Sequence, residues 1–248
     1  MQDNPGISKM LEEFELGLRK YRHFIKRLDL DVESIKKVEE VQLKIGELLK
    51  DSRILDGREG LREVISKLLE SGILARLVEE ASMELNLTSP GDLEEALKRV
   101  LAGDLDYPGA HATLIVLQGI ARFYADSVLE REGLGHEPSA KCPLCGAMSE
   151  TMVKKGDAYT MVCHFCTYQW VVSRRSLMCP YCGSTHPISI GIYSDKKKRI
   201  ALARCQDCGA TWRLILDESI RPPRVLLPLI ALGAEAYRPF LHAHSSEG

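Results

Sequence analysis

The strongest constraint on this chain is its cysteine spacing, because all eight cysteines fall in C-x-x-C pairs. The pairs are Cys142/Cys145, Cys163/Cys166, Cys179/Cys182 and Cys205/Cys208. A C-x-x-C turn directs two thiolates at one metal ion, and two such turns complete a tetrahedron around it. The intervals between successive pairs are 17, 12 and 22 residues, which is close to the spacing of zinc ribbons. The spacing therefore predicts two metal sites with four cysteine ligands each.

An internal repeat predicts which pairs share a metal ion. The first and third pairs both read C-P-x-C-G, in which proline presets the turn and glycine allows the backbone to approach sulfur. The second and fourth pairs are each followed by a tryptophan, Trp170 and Trp212. We therefore assign the first two pairs to one site and the last two to the other, with interleaved pairing as the alternative. The two tryptophans are predicted to form the ribbon cores, or alternatively a stacking surface for a partner.

A ribbon of about 30 residues buries too little apolar surface to fold alone, so the cysteines are expected to bind metal rather than to remain free. Structural zinc contributes on the order of 10–16 kcal/mol in such modules. We favour zinc over iron, although four thiolates also describe a rubredoxin-like iron site. Four thiolates leave no open coordination position, which disfavours catalysis at the metal. His164 and His186 lie near the cysteines but are not needed as ligands.

The N-terminal half contains no cysteine and repeats apolar residues at spacings of three and four, which is typical of helices. Helices are predicted over 11–28, 32–49, 57–85 with a break at Gly72, from about 89 onward and over 108–131, and again over 225–242. The helix over 108–131 is the most apolar and is expected to be central. Short strands are predicted at 159–162 and 170–172, where β-branched and aromatic residues concentrate.

These elements predict an α+β fold: an N-terminal all-α domain, two tandem rubredoxin-like or zinc-ribbon modules, and a C-terminal helix. The predicted boundaries are 1–137, 138–174, 175–217 and 218–248, with a breaker-rich linker from Glu132 to Pro138. The first segment carries a net charge of −8 and the two modules together carry +6. This difference in net charge indicates two domains with different surfaces, one acidic and one basic.

Several functional classes are disfavoured by the sequence. It has no signal peptide and no apolar run of about 18 residues to span a membrane, so we expect a cytoplasmic protein with reduced thiols and no membrane insertion. Nucleotide-binding and nucleophile motifs are absent. Adjacent acidic residues such as Glu39 and Glu40 are expected to face solvent. The basic run 196–199 is predicted to be a solvated hairpin tip, with a nucleic-acid contact as the disfavoured alternative.

The stretch CHFCTYQWVVSRRSLMCPYCG resembles the formate dehydrogenase accessory protein (FdhE) family. The matching positions are Cys163, Cys166, Trp170, Arg174, Cys179 and Cys182, flanked by the C-P-x-C-G at 142–146 and the C-x-x-C at 205–208. The tail Ala236-Tyr237-Arg238-Pro239-Phe240-Leu241 is similar to the C-terminal segment of that family. A helical N-terminal half ahead of two rubredoxin-like modules also agrees with it.

The resemblance implies a cytoplasmic, non-catalytic maturation factor that binds the catalytic subunit of formate dehydrogenase, a molybdenum- or tungsten-dependent enzyme. The metal sites would hold the recognition surface in shape, and a role in sensing redox state near the client is a further implication. Two alternatives come from other classes: a nucleic-acid-binding zinc-ribbon protein and a rubredoxin-like iron electron carrier.

Overall fold

The computed structural model describes residues 5–25, 31–51, 60–185, 190–194, 197 and 199–238. The helices are α1 (Pro5–Ile25), α2 (Val32–Asp51), α3 (Leu61–Glu70), α4 (Ile73–Leu85), α5 (Leu93–Leu101), α6 (Ala110–Glu132) and α7 (Leu226–Leu232), followed by a 3-10 helix (Gly233–Tyr237). The strands are β1 (Gly135–His136), β2 (Thr151–Lys155), β3 (Ala158–Val162), β4 (Gln169–Arg174), β5 (Ile190–Ser194), β6 (Ile200–Cys205) and β7 (Thr211–Ile215). The predicted α+β order is confirmed.

The chain divides into two compact units. One unit comprises Met1–Leu11 and Asp31–Val128, and the other comprises Glu12–Leu30 and Leu129–Gly248. The greater part of α1 therefore belongs with the strands, although its apolar spacing gave no indication of which part of the chain it would pack against. Helices α2 to α5, and α6 as far as Val128, lie in the first unit, whereas α7 lies in the second.

Local sequence signals set the helix boundaries of the first unit. Gly72 adopts a positive φ of 72° and separates α3 from α4, as predicted. Asp92 caps α5, since its carboxylate accepts a hydrogen bond from the Glu95 backbone amide at 3.1 Å. Gly119 lets α6 approach α2 closely, because a Cβ there would lie 3.1 Å from the Ile45 side chain. Small residues at this crossing thus allow the two helices to pack together.

An ion pair in the first unit corrects one prediction. Glu39 was expected to face solvent, but only 3% of the residue is exposed. Its carboxylate lies 2.6 Å from the Arg122 guanidinium, on α6. A buried carboxylate requires such a partner, because desolvation of an isolated charge is costly. The helical spacing of α2 gave no sign of this partner, which is 83 residues away along the chain.

The sequence predicted that no stretch is long and apolar enough to span a membrane, and this prediction was wrong for helix α6. By length and composition alone, α6 meets that criterion. More than half of its most apolar window is buried within the protein. The central helix of a globular unit has the same properties, so this observation is weak evidence for a membrane span.

The second unit is built on one seven-stranded sheet with the order β1-β4-β3-β2-β7-β6-β5. Strands β2, β3 and β4 form one antiparallel module, and β5, β6 and β7 form another. The two modules join through parallel pairing of β2 with β7, in which Thr151 lies opposite Arg213. The sequence predicted two adjacent ribbons, whereas the structure merges their strands into a continuous sheet.

The C-terminal segment packs within the same unit. The Tyr21 hydroxyl on α1 accepts a hydrogen bond from the Arg221 backbone amide at 3.0 Å and donates to the Ser219 carbonyl oxygen at 3.4 Å. A Cβ at Gly17 would lie 2.7 Å from the Leu226 side chain, so glycine permits this close approach. The predicted C-terminal helix is present as α7, and its predicted end at residues 239–242 lies outside the described residues.

Candidate metal centres

All four C-x-x-C turns share one backbone arrangement. In each, the backbone amide of the first cysteine donates to a carbonyl five residues later, as from Cys142 to Ala147 at 2.8 Å. A second amide, four residues after that cysteine, donates back to its carbonyl, as from Gly146 to Cys142 at 2.9 Å. The same two hydrogen bonds recur at Cys163, Cys179 and Cys205. Each turn is therefore a closed loop that holds two thiols on one side.

The residue after each second cysteine must adopt a positive φ. Glycine occupies this position in three turns, with φ values of 79° at Gly146, 78° at Gly183 and 75° at Gly209. The second turn has Thr167 there, with φ of 57°. A β-branched residue in this region is strained, whereas glycine is not. The C-P-x-C-G repeat thus predicted two of these turns, and the other two follow the same geometry.

The thiols gather in two sets of four. One set is Cys142, Cys145, Cys163 and Cys166, and the other is Cys179, Cys182, Cys205 and Cys208. Within each set, every sulfur lies within 4.8 Å of the others. This is the grouping that the internal repeat predicted, and each set could hold one metal ion.

The sulfur separations fit a tetrahedral metal site. Sulfurs are 3.7 Å apart in Cys142/Cys166 and 3.5 Å apart in Cys145/Cys163. The second set has 3.7 Å for both Cys179/Cys208 and Cys182/Cys205. A tetrahedron with metal–sulfur bonds of about 2.3 Å places its sulfurs about 3.8 Å apart. None of the eight thiols is in a disulfide, so all eight are available as ligands. Four thiolates suit Zn²⁺ and iron equally well.

The close approach of the four thiols within a set shifts their pKa values. Hydrogen bonds from Cys145 and the other two thiols lower the pKa of Cys142, whereas the same cluster raises the pKa of Cys166. In the second set, burial raises the pKa of Cys179 to about 12. Four thiolates at this spacing repel one another and do not all ionise together unless a cation is present. A bound divalent metal would supply that charge.

Backbone amides add to the stabilisation of the first set. The amide nitrogens of Phe165 and Cys166 lie 3.3 and 3.5 Å from the Cys163 sulfur. Amides that donate to a thiolate sulfur favour its charged form. The two amides therefore favour the Cys163 thiolate, whereas the neighbouring Cys142 and Cys145 thiols raise the pKa of Cys163.

The two sets differ in their exposure to solvent. In the first set, three thiols are buried and Cys145 is partly exposed. In the second, Cys179 and Cys205 are buried but Cys182 and Cys208 are exposed. A reagent in solution can therefore reach two ligands of the second centre directly, whereas the first centre lies largely inside the protein. The sequence repeat gave no sign of this difference.

The tryptophans form the ribbon cores, as predicted. Trp170 on β4 has no exposed surface, and only 1% of Trp212 on β7 is exposed. Trp170 stacks on Tyr168 with ring centroids 6.4 Å apart, and Trp212 packs against Tyr181 at the same separation. Neither indole is available as a stacking surface for a partner.

The histidine His164 lies beside the first set but makes a different contact. Its Nε2 is 2.9 Å from the Thr151 hydroxyl. Burial, followed by the positive charge of Arg213, lowers the pKa of His164, which favours the neutral ring. It belongs to neither group of four clustered side chains. His186 lies outside the described residues.

Side chains tie the two modules together close to both centres. The Tyr181 hydroxyl, in the third C-x-x-C turn, donates to the Ser149 carbonyl oxygen at 3.1 Å. Arg213 on β7 bridges Glu150 at 3.0 Å and Glu235 at 2.6 Å. Sequence reasoning missed these contacts, because the partners in each one are distant in the chain.

Two arginines of the FdhE-like segments, Arg174 and Arg238, lie within the described residues. Arg174 ends β4 and is exposed, on the segment that connects the two centres. Arg238 contacts Glu235 at 2.6 Å, which links the start of the tail to the Arg213 bridge. Residues 239–241 of the tail lie outside the described residues, as do Lys196 and Lys198 of the basic run.

The chain was compared with protein families, curated proteins and solved structures. No family model matches the chain, and no curated protein matches it. The chain is similar to the crystal structure of the FdhE protein from Pseudomonas aeruginosa, with 15% sequence identity and a TM-score of 0.49. The match covers 94% of this chain and 92% of that one. At this identity and TM-score, the likeness carries no argument about what the chain does.

Proposed function

We propose that this chain is a non-catalytic accessory factor that binds the catalytic subunit of a formate dehydrogenase and assists its maturation. In this proposal the eight cysteines hold two metal ions, and the centres maintain the shape of the client-binding surface. The observation that carries it is the stretch 163–183, which has the FdhE-like sequence and contains two of the four clustered cysteines of each candidate centre. That stretch includes the second C-x-x-C turn, strand β4 and the third turn.

The coordination geometry supports a structural role for the metals. Four sulfurs at tetrahedral spacing leave no position for a substrate or a water molecule. Zinc is our preferred metal, because it binds four thiolates without redox chemistry. A cytoplasmic location is part of the proposal, since the thiols must remain reduced to bind metal.

Arg174 is the best candidate for a direct contact with the client. It belongs to the FdhE-like motif, yet it is exposed and has no ion-pair partner among the described residues. An arginine that serves neither the core nor a metal centre is available for charge-assisted recognition of a carboxylate. The metal centres on either side of it would fix its position.

The test is anaerobic purification of the tagged chain from its native host, with identification of bound proteins and analysis of metals in the same sample. We expect a formate dehydrogenase catalytic subunit to co-purify with two metal ions per chain. Arg174→Gln should lower client recovery by roughly tenfold, since it removes one charge-assisted contact. Arg76→Gln, at an exposed arginine of the helical unit, is the matched control and should leave recovery unchanged. Failure of any such subunit to co-purify would refute the proposal.

The exposed ligands of the second centre favour a second candidate, a rubredoxin-like electron carrier. Cys182 and Cys208 would bring a bound iron ion close to a redox partner at the surface. The same preparation distinguishes this function. An electron carrier would contain iron and show a coloured, reversible reduction, whereas a colourless protein with two zinc ions would eliminate it.

A further inference from the structure

A cavity of about 360 Å³ lies within the second unit, and no cysteine is among its lining residues. It is formed by the end of β2, the start of β4 and the segment that leads into α7. Its lining includes four basic side chains and one carboxylate: Lys154, Lys155, Arg221, Arg224 and Glu218. Positive charge therefore exceeds negative charge by three among these residues. A small concave site with this imbalance favours an anionic ligand.

Two of these cations have no carboxylate partner among the described residues. The Lys155 ammonium donates to the Gln169 side-chain oxygen at 2.7 Å, and this oxygen carries no formal charge. Arg221 Nε donates to the backbone carbonyl of Glu218 at 2.9 Å. The Glu218 carboxylate is instead 3.9 Å from Lys154. Hydrogen bonds thus position Lys155 and Arg221 without neutralising them.

The charges of Lys155 and Arg221 act on each other. Burial lowers the pKa of Lys155, and the positive charge of Arg221 lowers it further. Two cations held together in a partly desolvated site repel each other unless an anion lies between them. The arrangement has an energetic cost in the free protein that a bound anion would remove.

Gln169 adds a neutral donor to this site. It lines the cavity, although only 2% of the residue is exposed. Its oxygen accepts from Lys155, which leaves the amide nitrogen as the donor. That nitrogen has no hydrogen-bond partner. Buried amide groups are usually paired, so an unpaired one beside two cations is a second indication of a missing acceptor.

The segment that carries Arg221 is held in place before any ligand binds. The Ile220 amide donates to the Asp217 carbonyl at 3.0 Å, which closes a turn. The hydroxyl of Tyr21, which is buried, contacts both Ser219 and Arg221 through their backbones. Two prolines follow directly. Binding would therefore require little ordering of the loop, which favours affinity.

We propose that this cavity binds a phosphate group, either free phosphate or the phosphate of a small metabolite. The two cations without a carboxylate partner among the described residues, Lys155 and Arg221, match a dianion better than a monocarboxylate. The guanidinium of Arg221 and the ammonium of Lys155 are the groups that bind phosphate in proteins, the first through paired donors and the second as a point charge. The site is independent of client binding and of the metal centres.

Isothermal titration calorimetry with the full-length, metal-loaded chain tests this site. The probes are inorganic phosphate, glycerol 3-phosphate and acetate, each at the same low ionic strength with chloride as the balancing anion. We expect both phosphate probes to bind at one site and acetate to bind at least tenfold more weakly. Tighter binding of glycerol 3-phosphate would identify the ligand as a phosphorylated molecule rather than free phosphate.

Variants locate the binding in this cavity. Arg221→Gln and Lys155→Gln should each weaken phosphate binding by roughly tenfold, because each removes one charge-assisted contact. Arg62→Gln makes the same charge change at an exposed position of the helical unit and should have no effect. Circular dichroism and metal content establish that each variant remains folded. The absence of phosphate binding, equal binding in Lys155→Gln and the unmodified chain, or acetate binding as tight as phosphate would each overturn the proposal.

Discussion

The indole nitrogen of Trp170 donates a hydrogen bond of 2.9 Å to the backbone carbonyl of Ser139. The equivalent nitrogen of Trp212, in the second module, is buried and has no hydrogen-bond partner. Both modules therefore have a tryptophan in the core, but only the indole nitrogen of Trp170 has a hydrogen-bond partner. The difference can be measured, because phenylalanine removes the indole nitrogen while it retains an aromatic ring.

We expect Trp170→Phe to lower the free energy of unfolding by about 1–2 kcal/mol more than Trp212→Phe. The first change removes a hydrogen bond, whereas the second removes a donor that was already unpaired. Both changes lose similar volume from a fully buried site. Chemical denaturation followed by the fluorescence of the remaining tryptophan provides the measurement. Equal losses in the two variants would contradict the assignment of these contacts.

Thr167 gives a prediction of the opposite sign. Thr167→Gly should stabilise the protein by about 1 kcal/mol, because relief of the positive φ exceeds the entropy that glycine adds to the unfolded chain. The change also removes a buried hydroxyl that has no hydrogen-bond partner. Gly209→Ala is the matched comparison, since a Cβ there meets no atom within 4 Å but the φ is 75°. That change should destabilise the protein by a similar amount. Thermal unfolding of the two metal-loaded variants tests the pair.

The ion pair between Glu39 and Arg122 is expected to be important for the helical unit. Glu39→Ala should cost about 3–5 kcal/mol, because it leaves the Arg122 charge largely buried and without its carboxylate. Glu40→Ala is the neighbouring control. The Glu40 side chain is 44% exposed and pairs with Lys44 at 3.1 Å, so we expect a loss of only about 0–1 kcal/mol.

Urea denaturation followed by helical circular dichroism measures both effects. Replacement of both partners in Glu39→Met/Arg122→Met should recover much of the stability, since no unpaired charge then remains. Similar losses in Glu39→Ala and Glu40→Ala would show that the buried pair is not important for stability.

Metal release should occur in two phases. A chelator has direct access to Cys182 and Cys208 but not to the buried thiols of the first centre. We therefore expect one equivalent of metal to leave quickly and a second to leave slowly, as followed with a coloured chelator. Cys208→Ser should abolish the fast phase and retain the slow one, and Cys145→Ser should do the reverse. Simultaneous release of two equivalents would show that the difference in exposure has no effect on lability.

The sequence predicted the features that depend on local spacing. The four C-x-x-C turns, their grouping in sets, and the buried positions of Trp170 and Trp212 all follow from a repeat of short motifs. The boundary between α3 and α4 could also be predicted from the sequence, because Gly72 interrupts a continuous apolar pattern. The turns and the helix boundary each depend on residues a few positions apart, and the grouping follows from the repetition of those short motifs.

Contacts between distant segments were not predictable in the same way. Nothing near Glu39 indicates that Arg122 will neutralise it, and nothing near Lys155 indicates that Arg221 will lie beside it. Parallel pairing of β2 with β7 likewise depends on two strands that are about 60 residues apart in the chain. The repeat also gave no sign that the two centres differ in burial, because burial depends on the neighbouring elements and not on the repeat itself.

The pairing of β2 with β7 has a consequence for any attempt to divide the protein. A single module cut from the chain would expose the hydrogen-bonding groups of a strand that the other module now covers. Such an open edge attracts other strands, and natural sheets usually avoid it. Metal binding alone would then not keep a fragment monomeric. Within one sheet, β2 and β7 cover each other's hydrogen-bonding edges, so each module protects the other from pairing with strands of a second molecule.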